Sequence, residues 1–249
     1  MIAAPLLVFD FDGVLVDGMR EYWWSARRAA LALRPERELP ELAPAGFAQL
    51  RPLIHKGWEM VLAALELSRS TLDLSAYLNN YRGQTQAALE RWQLSPERLQ
   101  QALETLRSEA ILQDPLAWRA LHQPYPGVPE RLQRLQSEGS DWLVLTTKGG
   151  VFAEELLAGY GLTAKAVYGH EQGSKPEVLL RLSQGASPLW FVEDRRPTLE
   201  AVRHTAGLEA VRCFLVSWGY LGPGDRDDLP SGIQLLKPEQ FEQPLAGWP

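Results

Sequence analysis

The sequence predicts an α/β protein, a parallel sheet with helices on both faces, interrupted close to its N-terminus by an all-helical insertion. Three observations carry that expectation. Short apolar runs that stop at acidic residues, Leu6-Leu7-Val8-Phe9 before Asp10 and Leu189-Trp190-Phe191-Val192 before Glu193-Asp194, read as strands buried on both faces. Past residue 128 such runs alternate with helix-period patterns, the βαβ arrangement that gives a parallel sheet with right-handed crossovers. Between residues 18 and 121 the texture is helical throughout, and no convincing strand breaks it.

The elements follow in order. After the first strand, Tyr22-Trp23-Trp24 leads into Ala26, Ala29, Ala30 and Leu33 on one helix. A second helix is expected through Phe47, Leu50, Ile54, Trp58, Val61, Leu62 and Leu65, and a third through Leu74, Tyr77, Leu78 and Tyr81, continuing to Trp92. Ser95-Pro96 is an N-cap followed by proline at the first helical position, and Leu99, Ala102, Leu103 and Leu106 keep the spacing of one helix face. Asp114-Pro115 repeats the device for a short last helix. The expectation is a four- or five-helix bundle over 18–121, set into a core made of 1–17 and 122–249.

From Pro124-Tyr125-Pro126-Gly127 onward the alternation begins: a helix through Val128, Leu132 and Leu135, then the strand Trp142-Leu143-Val144-Leu145. A helix over 152–160, a short strand over 164–168 and a helix over 177–184 precede the strand ending at Val192. A helix over 199–206 and a strand over 211–216 complete the pattern, and the Gly-, Pro- and Asp-rich stretch 219–231 reads as an exposed loop. In such open sheets ligands sit beyond the carboxyl ends of the strands. Asp10, Asp12, Thr146, Thr147, Glu193 and Asp194 all fall there.

Composition narrows the function classes. At 249 residues, 45% hydrophobic and 22% charged, the chain is an ordinary globular sequence with room for a full core. A net charge of −6 supplies no basic field for nucleic acid. No window approaches the ~18 apolar residues of a membrane span, and no leader-like N-terminal pattern is seen. Cys213, alone within an apolar run, reads as a small buried hydrophobe in a reducing, cytoplasmic setting. The 25 basic residues include only five Lys, and Lys56, Lys148 and Lys175 fall in segments that carry motifs.

Asp10 and Asp12, two residues apart at a strand end, face an electrostatic problem, because like charges disfavour each other unless a cation or proton is shared. Mg²⁺, which takes oxygen ligands and often bridges carboxylates and a phosphate, solves it, with Asp194 arriving from another strand end. Given a bound phosphate, Asp10 can attack phosphorus and Asp12 can give and then take a proton. Thr146 and Lys175 can hold the charged oxygens of the transition state.

These motifs in this order resemble the haloacid dehalogenase superfamily, in particular its phosphatase-like, phosphoglycolate phosphatase-like members with an inserted helical cap on a Rossmann-like core. Asp10-Phe11-Asp12-Gly13-Val14-Leu15-Val16-Asp17 fits the first signature, Leu143-Val144-Leu145-Thr146-Thr147-Lys148 the second, Lys175-Pro176 the third and Phe191-Val192-Glu193-Asp194 the fourth. The resemblance implies Asp10 as nucleophile, Asp12 as acid and base, and Thr146, Thr147 and Lys175 on the phosphate. It also implies Mg²⁺ held by Asp10, the Asp12 main-chain carbonyl and Asp194. Thr198 stands where many relatives carry a further acid, and Glu193 is the adjacent acid that replaces it as a metal ligand in this reading. Thr147 stands where Asn is common, and Gly18 where Ser is common.

Simpler readings stand beside these. Asp10 and Asp12 alone suit a capping turn, Lys175 alone a solvated residue before a helix, and Glu193-Asp194-Arg195-Arg196 a surface charge cluster. In the insertion, Arg51, His55, Lys56 and Glu59 share part of one helical face in this reading, mostly solvated. Arg20, His55 and Lys56 are the candidates there for recognising a leaving group. The expected activity is Mg²⁺-dependent hydrolysis of a small phosphorylated metabolite through an aspartyl-phosphate, by a monomer or weak dimer. The alternatives are a phosphomutase using the same site, or a catalytically weak module that binds a phosphate ligand.

Overall fold

The computed structural model describes residues 4–185 and 187–249, and these described residues divide into two compact units, one within 1–17 and 123–249 and the other Gly18–His122. The first unit opens with β1 (Leu6–Phe9) and β2 (Val16–Asp17). The second unit contributes α1 (Met19–Leu33), α2 (Ala45–Leu50), α3 (Gly57–Leu67), α4 (Leu74–Asn79), α5 (Tyr81–Trp92), α6 (Pro96–Gln113) and α7 (Pro115–Arg119). The first unit resumes with β3 (Gln123–Pro124), α8 (Val128–Ser137), β4 (Trp142–Leu145), α9 (Gly150–Gly159), β5 (Val167–Tyr168) and α10 (Lys175–Leu182). It ends with β6 (Leu189–Glu193), α11 (Arg196–Arg203), β7 (Arg212–Val216), β8 (Ile233–Leu236) and α12 (Pro238–Phe241).

The sheet runs β5-β4-β1-β6-β7-β8 with every pairing parallel. β1 lies between β4 and β6, with Val8 beside Leu143 on one side and Phe191 on the other. The chain builds outward from β1 through β4 to β5 and then returns to lay β6 on the opposite side. That reversal makes the carboxyl end of β1 a topological switch point, where the connections diverge and leave a crevice. Leu7, Val8 and Phe9 are fully buried, as a strand covered on both faces requires. On one face Val8, Phe191 and Cys213 pack with Val178 and Leu179 of α10 and Leu199 and Val202 of α11. On the other, Phe9 meets the edges of Trp142 and Phe241.

The α/β expectation holds, and the differences have local causes. β8 had no counterpart in the sequence reading, since Ile233-Gln234-Leu235-Leu236 is short and follows a loop-like stretch, and β2 with β3 forms a two-residue antiparallel ribbon too short to show a period. The helical unit carries seven helices among its described residues rather than four or five. The expected second helix is broken: α2 runs into a 3₁₀ turn at Arg51–Leu53 containing Pro52, and Ile54 (ψ 125°) and Lys56 (ψ 149°) are extended before α3 begins. Arg51, His55, Lys56 and Glu59 therefore do not share a helix face. The third helix also divides, because Asn80 leaves helical geometry and its side chain accepts the Gly83 N–H at 3.2 Å, starting α5 afresh. The caps at Ser95 and Asp114 are present, accepting from Arg98 N and Ala117 N.

Candidate active site

Seven of the residues singled out in the sequence lie at the carboxyl edge of the sheet. Asp10 follows β1 directly, and its N–H donates to Val192 O at 2.8 Å, which extends the β1–β6 ladder by one rung. Its Oδ1 accepts Phe11 N–H at 2.8 Å and lies 2.9 Å from Lys175 Nζ. The chain then turns tightly, with Leu15 and Val16 N–H both donating to Phe11 O and with Phe11, Val14 and Leu15 buried, so Asp12 is held over the same edge.

Lys175 reaches this edge because α10 starts on it. Ser174 and Glu177 form the cap, Pro176 occupies the second helical position, and the Lys175 side chain is buried against the sheet. Its Nζ donates to Glu193 Oε2 at 2.6 Å. Glu193 Oε1 in turn accepts the N–H groups of Asp194 and Arg195, each at 3.1 Å. Both oxygens of this buried carboxylate are therefore engaged in fixing Lys175 and the turn after β6. Thr146 closes β4, donating its N–H to Tyr168 O and accepting the Lys148 N–H on Oγ1 at 3.1 Å. Thr147 follows it, half-buried.

Two features escaped the sequence reading. Lys148 is buried and its Nζ lies 3.4 Å from Asp12 Oδ1, so the site holds two ammonium groups rather than one. The scarcity of Lys in the chain was the signal. The second feature is Trp218-Gly219-Tyr220, which follows β7 and opens the stretch expected as an exposed loop. Tyr220 N–H donates to Asp194 Oδ2 at 2.7 Å, and Tyr220 Oη donates to Asp17 Oδ1 at 2.6 Å. Its position just beyond a strand's carboxyl end was the available clue.

The electrostatics follow from burial. The Asp10 carboxyl is pushed up to about 8 by desolvation, with the Glu193 charge adding to the rise and the Lys175 ammonium opposing it. Glu193 is raised by burial against the pull of Lys175. Burial alone would lower Lys175, but the Asp10 and Glu193 charges outweigh it and raise the ammonium. Four carboxyl groups (Asp10, Asp12, Glu193, Asp194) here face two ammonium groups, so their full ionisation leaves an excess of negative charge that a divalent cation would offset. Asp10, Glu193 and Asp194 each offer an oxygen within 4.8 Å of the others. Gly13, at φ +89°, lets the Asp194 carboxylate pack directly against the turn: a Cβ there would fall 1.9 Å from Asp194 Oδ2. An oxygen-only donor set with surplus charge fits Mg²⁺.

A family model described as haloacid dehalogenase-like hydrolase matches residues 5–203. The chain belongs to this family. As a haloacid dehalogenase-like hydrolase it is an enzyme, and relatives align with it over most of their lengths. A phosphoglycolate phosphatase of Xanthomonas campestris pv. campestris is 28% identical, aligned over 98% of this chain and 96% of its own. An N-acetylmuramic acid 6-phosphate phosphatase of Pseudomonas aeruginosa is 29% identical over 88% of this chain and 84% of its own. The solved structure of a haloacid dehalogenase-like family protein from Streptococcus pneumoniae superposes with a TM-score of 0.55 at 18% identity, covering 95% of each chain, a likeness of fold.

The residues expected to recognise a leaving group lie in the helical unit of this hydrolase. Arg20 is exposed on α1, its Nη1 3.5 Å from Ala120 O. His55 is half-buried in the extended segment before α3, its N–H donating to Glu59 Oε2 at 3.0 Å, and Lys56 is exposed next to it. No described helix is long and apolar enough to cross a membrane.

Proposed function

We propose that this haloacid dehalogenase-like hydrolase is a Mg²⁺-dependent phosphatase acting on a small phosphomonoester through an aspartyl-phosphate. The observation that carries the reading is Asp10 at the end of the central strand, with Lys175 Nζ 2.9 Å from Oδ1, Asp12 two residues on and Asp194 alongside. Asp10, the Asp12 main-chain carbonyl and Asp194 would hold the cation. Bound there, it would supply the positive charge that lets Asp10 be ionised beside its acidic neighbours and draw the phosphate oxygens in.

In this reading Asp10 Oδ attacks phosphorus, forming the P–O bond to the carboxylate as the bond to the leaving oxygen breaks, and Asp12 gives that oxygen its proton. Asp12 then takes a proton from water, whose oxygen attacks phosphorus, breaks the acyl phosphate bond and regenerates Asp10. Thr146, Thr147 and Lys175 hold the non-bridging oxygens. Glu193, with one oxygen on Lys175 and the other on two backbone N–H groups, serves chiefly to aim Lys175. Arg20, His55 and Lys56 remain the proposed residues for the leaving group.

The relatives' names point to the substrate class, since each describes the phosphate ester of a small acid. Phosphoglycolate and N-acetylmuramic acid 6-phosphate therefore head the panel. The test is phosphate release across small phosphomonoesters, with Mg²⁺ and with chelator, for the parent and Asp10→Asn. Release that requires both Mg²⁺ and Asp10 supports the proposal. A parent that releases no phosphate from any ester overturns it.

A further inference from the structure

The segment Trp218-Gly219-Tyr220 makes contacts out of proportion to its place at the mouth of a loop. Trp218 Nε1 donates to Val14 O at 3.1 Å, and its ring meets the edges of Phe241 at 5.4 Å and Tyr125 at 6.5 Å. Tyr220 bonds at both ends, its N–H on Asp194 Oδ2 and its hydroxyl on Asp17 Oδ1. Between them, Gly219 passes so close that a Cβ would fall 2.3 Å from Asp194 Cβ and 2.4 Å from Gly13 O. Gly13 faces the same wall, its absent Cβ lying 2.9 Å from Tyr220 Cδ2. The segment thus touches the Asp10–Asp17 turn at Val14, Gly13 and Asp17, and touches Asp194 from the other side.

We propose that Trp218-Gly219-Tyr220 is a strap that fixes the Asp194 carboxylate for cation binding, with Tyr220 as its positioning residue. The inference rests on the metal site of the proposed phosphatase and adds to it residues from outside the four motifs. The physical argument is one of orientation. Asp194 follows the last residue of β6, and without an external bond its carboxylate has several rotamers open. The Tyr220 N–H selects one by holding Oδ2, the close passage of Gly219 removes the space for others, and the Tyr220–Asp17 and Trp218–Val14 bonds anchor the strap. Removing a partner that orients a metal ligand in this way typically weakens metal binding by about tenfold to a hundredfold.

The test is Mn²⁺ binding to the full chain, read by electron paramagnetic resonance and independent of turnover, for the parent, Asp194→Asn, Gly219→Ala and Tyr220→Phe. Melting in chelator shows which variants fold. Gly219→Ala, which must displace Asp194 or the strap, is expected to weaken Mn²⁺ by about tenfold to a hundredfold. Tyr220→Phe keeps the N–H but releases the anchor on Asp17, and is expected to weaken Mn²⁺ by about threefold or more while melting with the parent. Should Gly219→Ala fail to fold, Tyr220→Phe decides alone, since it removes a single atom. Tyr220→Phe binding within about twofold of the parent overturns the strap and leaves the phosphatase reading standing. A parent that takes up no Mn²⁺ overturns both.

Discussion

In the helical unit the carboxylate of Glu66 is fully buried, and its oxygens are met on all sides: Oε1 accepts from Arg91 at 2.8 Å and Trp92 Nε1 at 2.7 Å, Oε2 from Arg69 at 2.5 Å. Glu21, also fully buried, is held by both nitrogens of the Arg107 fork, at 2.8 and 2.7 Å. At the carboxyl edge of the sheet the arrangement differs, with four acids sharing two ammonium groups and Asp10 raised to about 8 by burial. The pairs in the helical unit close upon themselves, as buried charges must if they are to tie elements together. The sheet edge instead holds more acid than its ammonium groups balance, so a proton on Asp10 or a bound cation must offset it, which is the physical mark of a site. Buried charge by itself is therefore uninformative, and its balance separates scaffold from chemistry.

The comparison breaks most sharply at Asp10. Asp10→Asn is expected to lower phosphate release by about a thousandfold or more, because it removes the proposed nucleophile. Melting in chelator should rise at the same time, since Asn is neutral without having to take up the proton that burial forces on Asp10. A variant that loses activity and also melts lower would mean that the charges at the edge are balanced as they are in the helical unit. Arg107→Met is the reverse experiment. It leaves Glu21 without its bidentate partner and is expected to cost about 3 to 5 kcal/mol of stability, measured by denaturant unfolding. Replacing both, Glu21→Met with Arg107→Leu, should recover most of that loss, since the pair costs desolvation when formed.

The same contrast explains what the sequence revealed. β1, β4, β6 and β7 are buried on both faces, so their apolar runs and the polar residues that end them stand out. Asp10, Thr146, Lys175 and Asp194 are legible because a motif must place them within a few residues of a strand or helix end. The helical unit was less legible at its joints, because Pro52 and Asn80 interrupt periodic patterns that otherwise continue across them. The strap was hidden for another reason. Its contacts to Asp194 and Asp17 span 26 and 203 residues, and two of them use a backbone N–H and the absence of a side chain. No local pattern encodes either.

Lys148 sharpens the account within the site. Its ammonium is the second positive charge at the edge, 3.4 Å from Asp12 Oδ1. Lys148→Met is expected to lower kcat/KM by about a hundredfold, as loss of one charged group at a phosphoryl-transfer site does. Lys148→Arg, which keeps the charge, should retain more activity than Lys148→Met. Equal losses in the two variants would assign Lys148 to packing.

The smallest effect tests whether closed pairing, rather than membership of the helical unit, marks scaffold charge. Arg131 on α8 is buried in the sheet-bearing unit, outside the motifs, and its fork donates to Glu138 at 2.6 and 3.2 Å. Arg131 Nε also donates to Phe241 O at 2.9 Å, and Leu245 N–H donates to Glu138 Oε2 at 3.0 Å, so the clamp holds the C-terminal segment to α8. Burial would raise the Glu138 carboxyl, but the Arg131 and Leu245 bonds outweigh it and hold it below the usual carboxylate range. A depressed folded pKa binds fewer protons than the unfolded chain, so its stabilisation is complete above the unfolded value of 4.5 and fades as pH falls through the folded one. Glu138→Gln should therefore cost about 1 kcal/mol at neutral pH, and the gap to the parent should narrow progressively below pH 4.5. Urea unfolding of both proteins from pH 7 down to 3 measures it. A gap that stays constant over that range would show the clamp acting through shape alone.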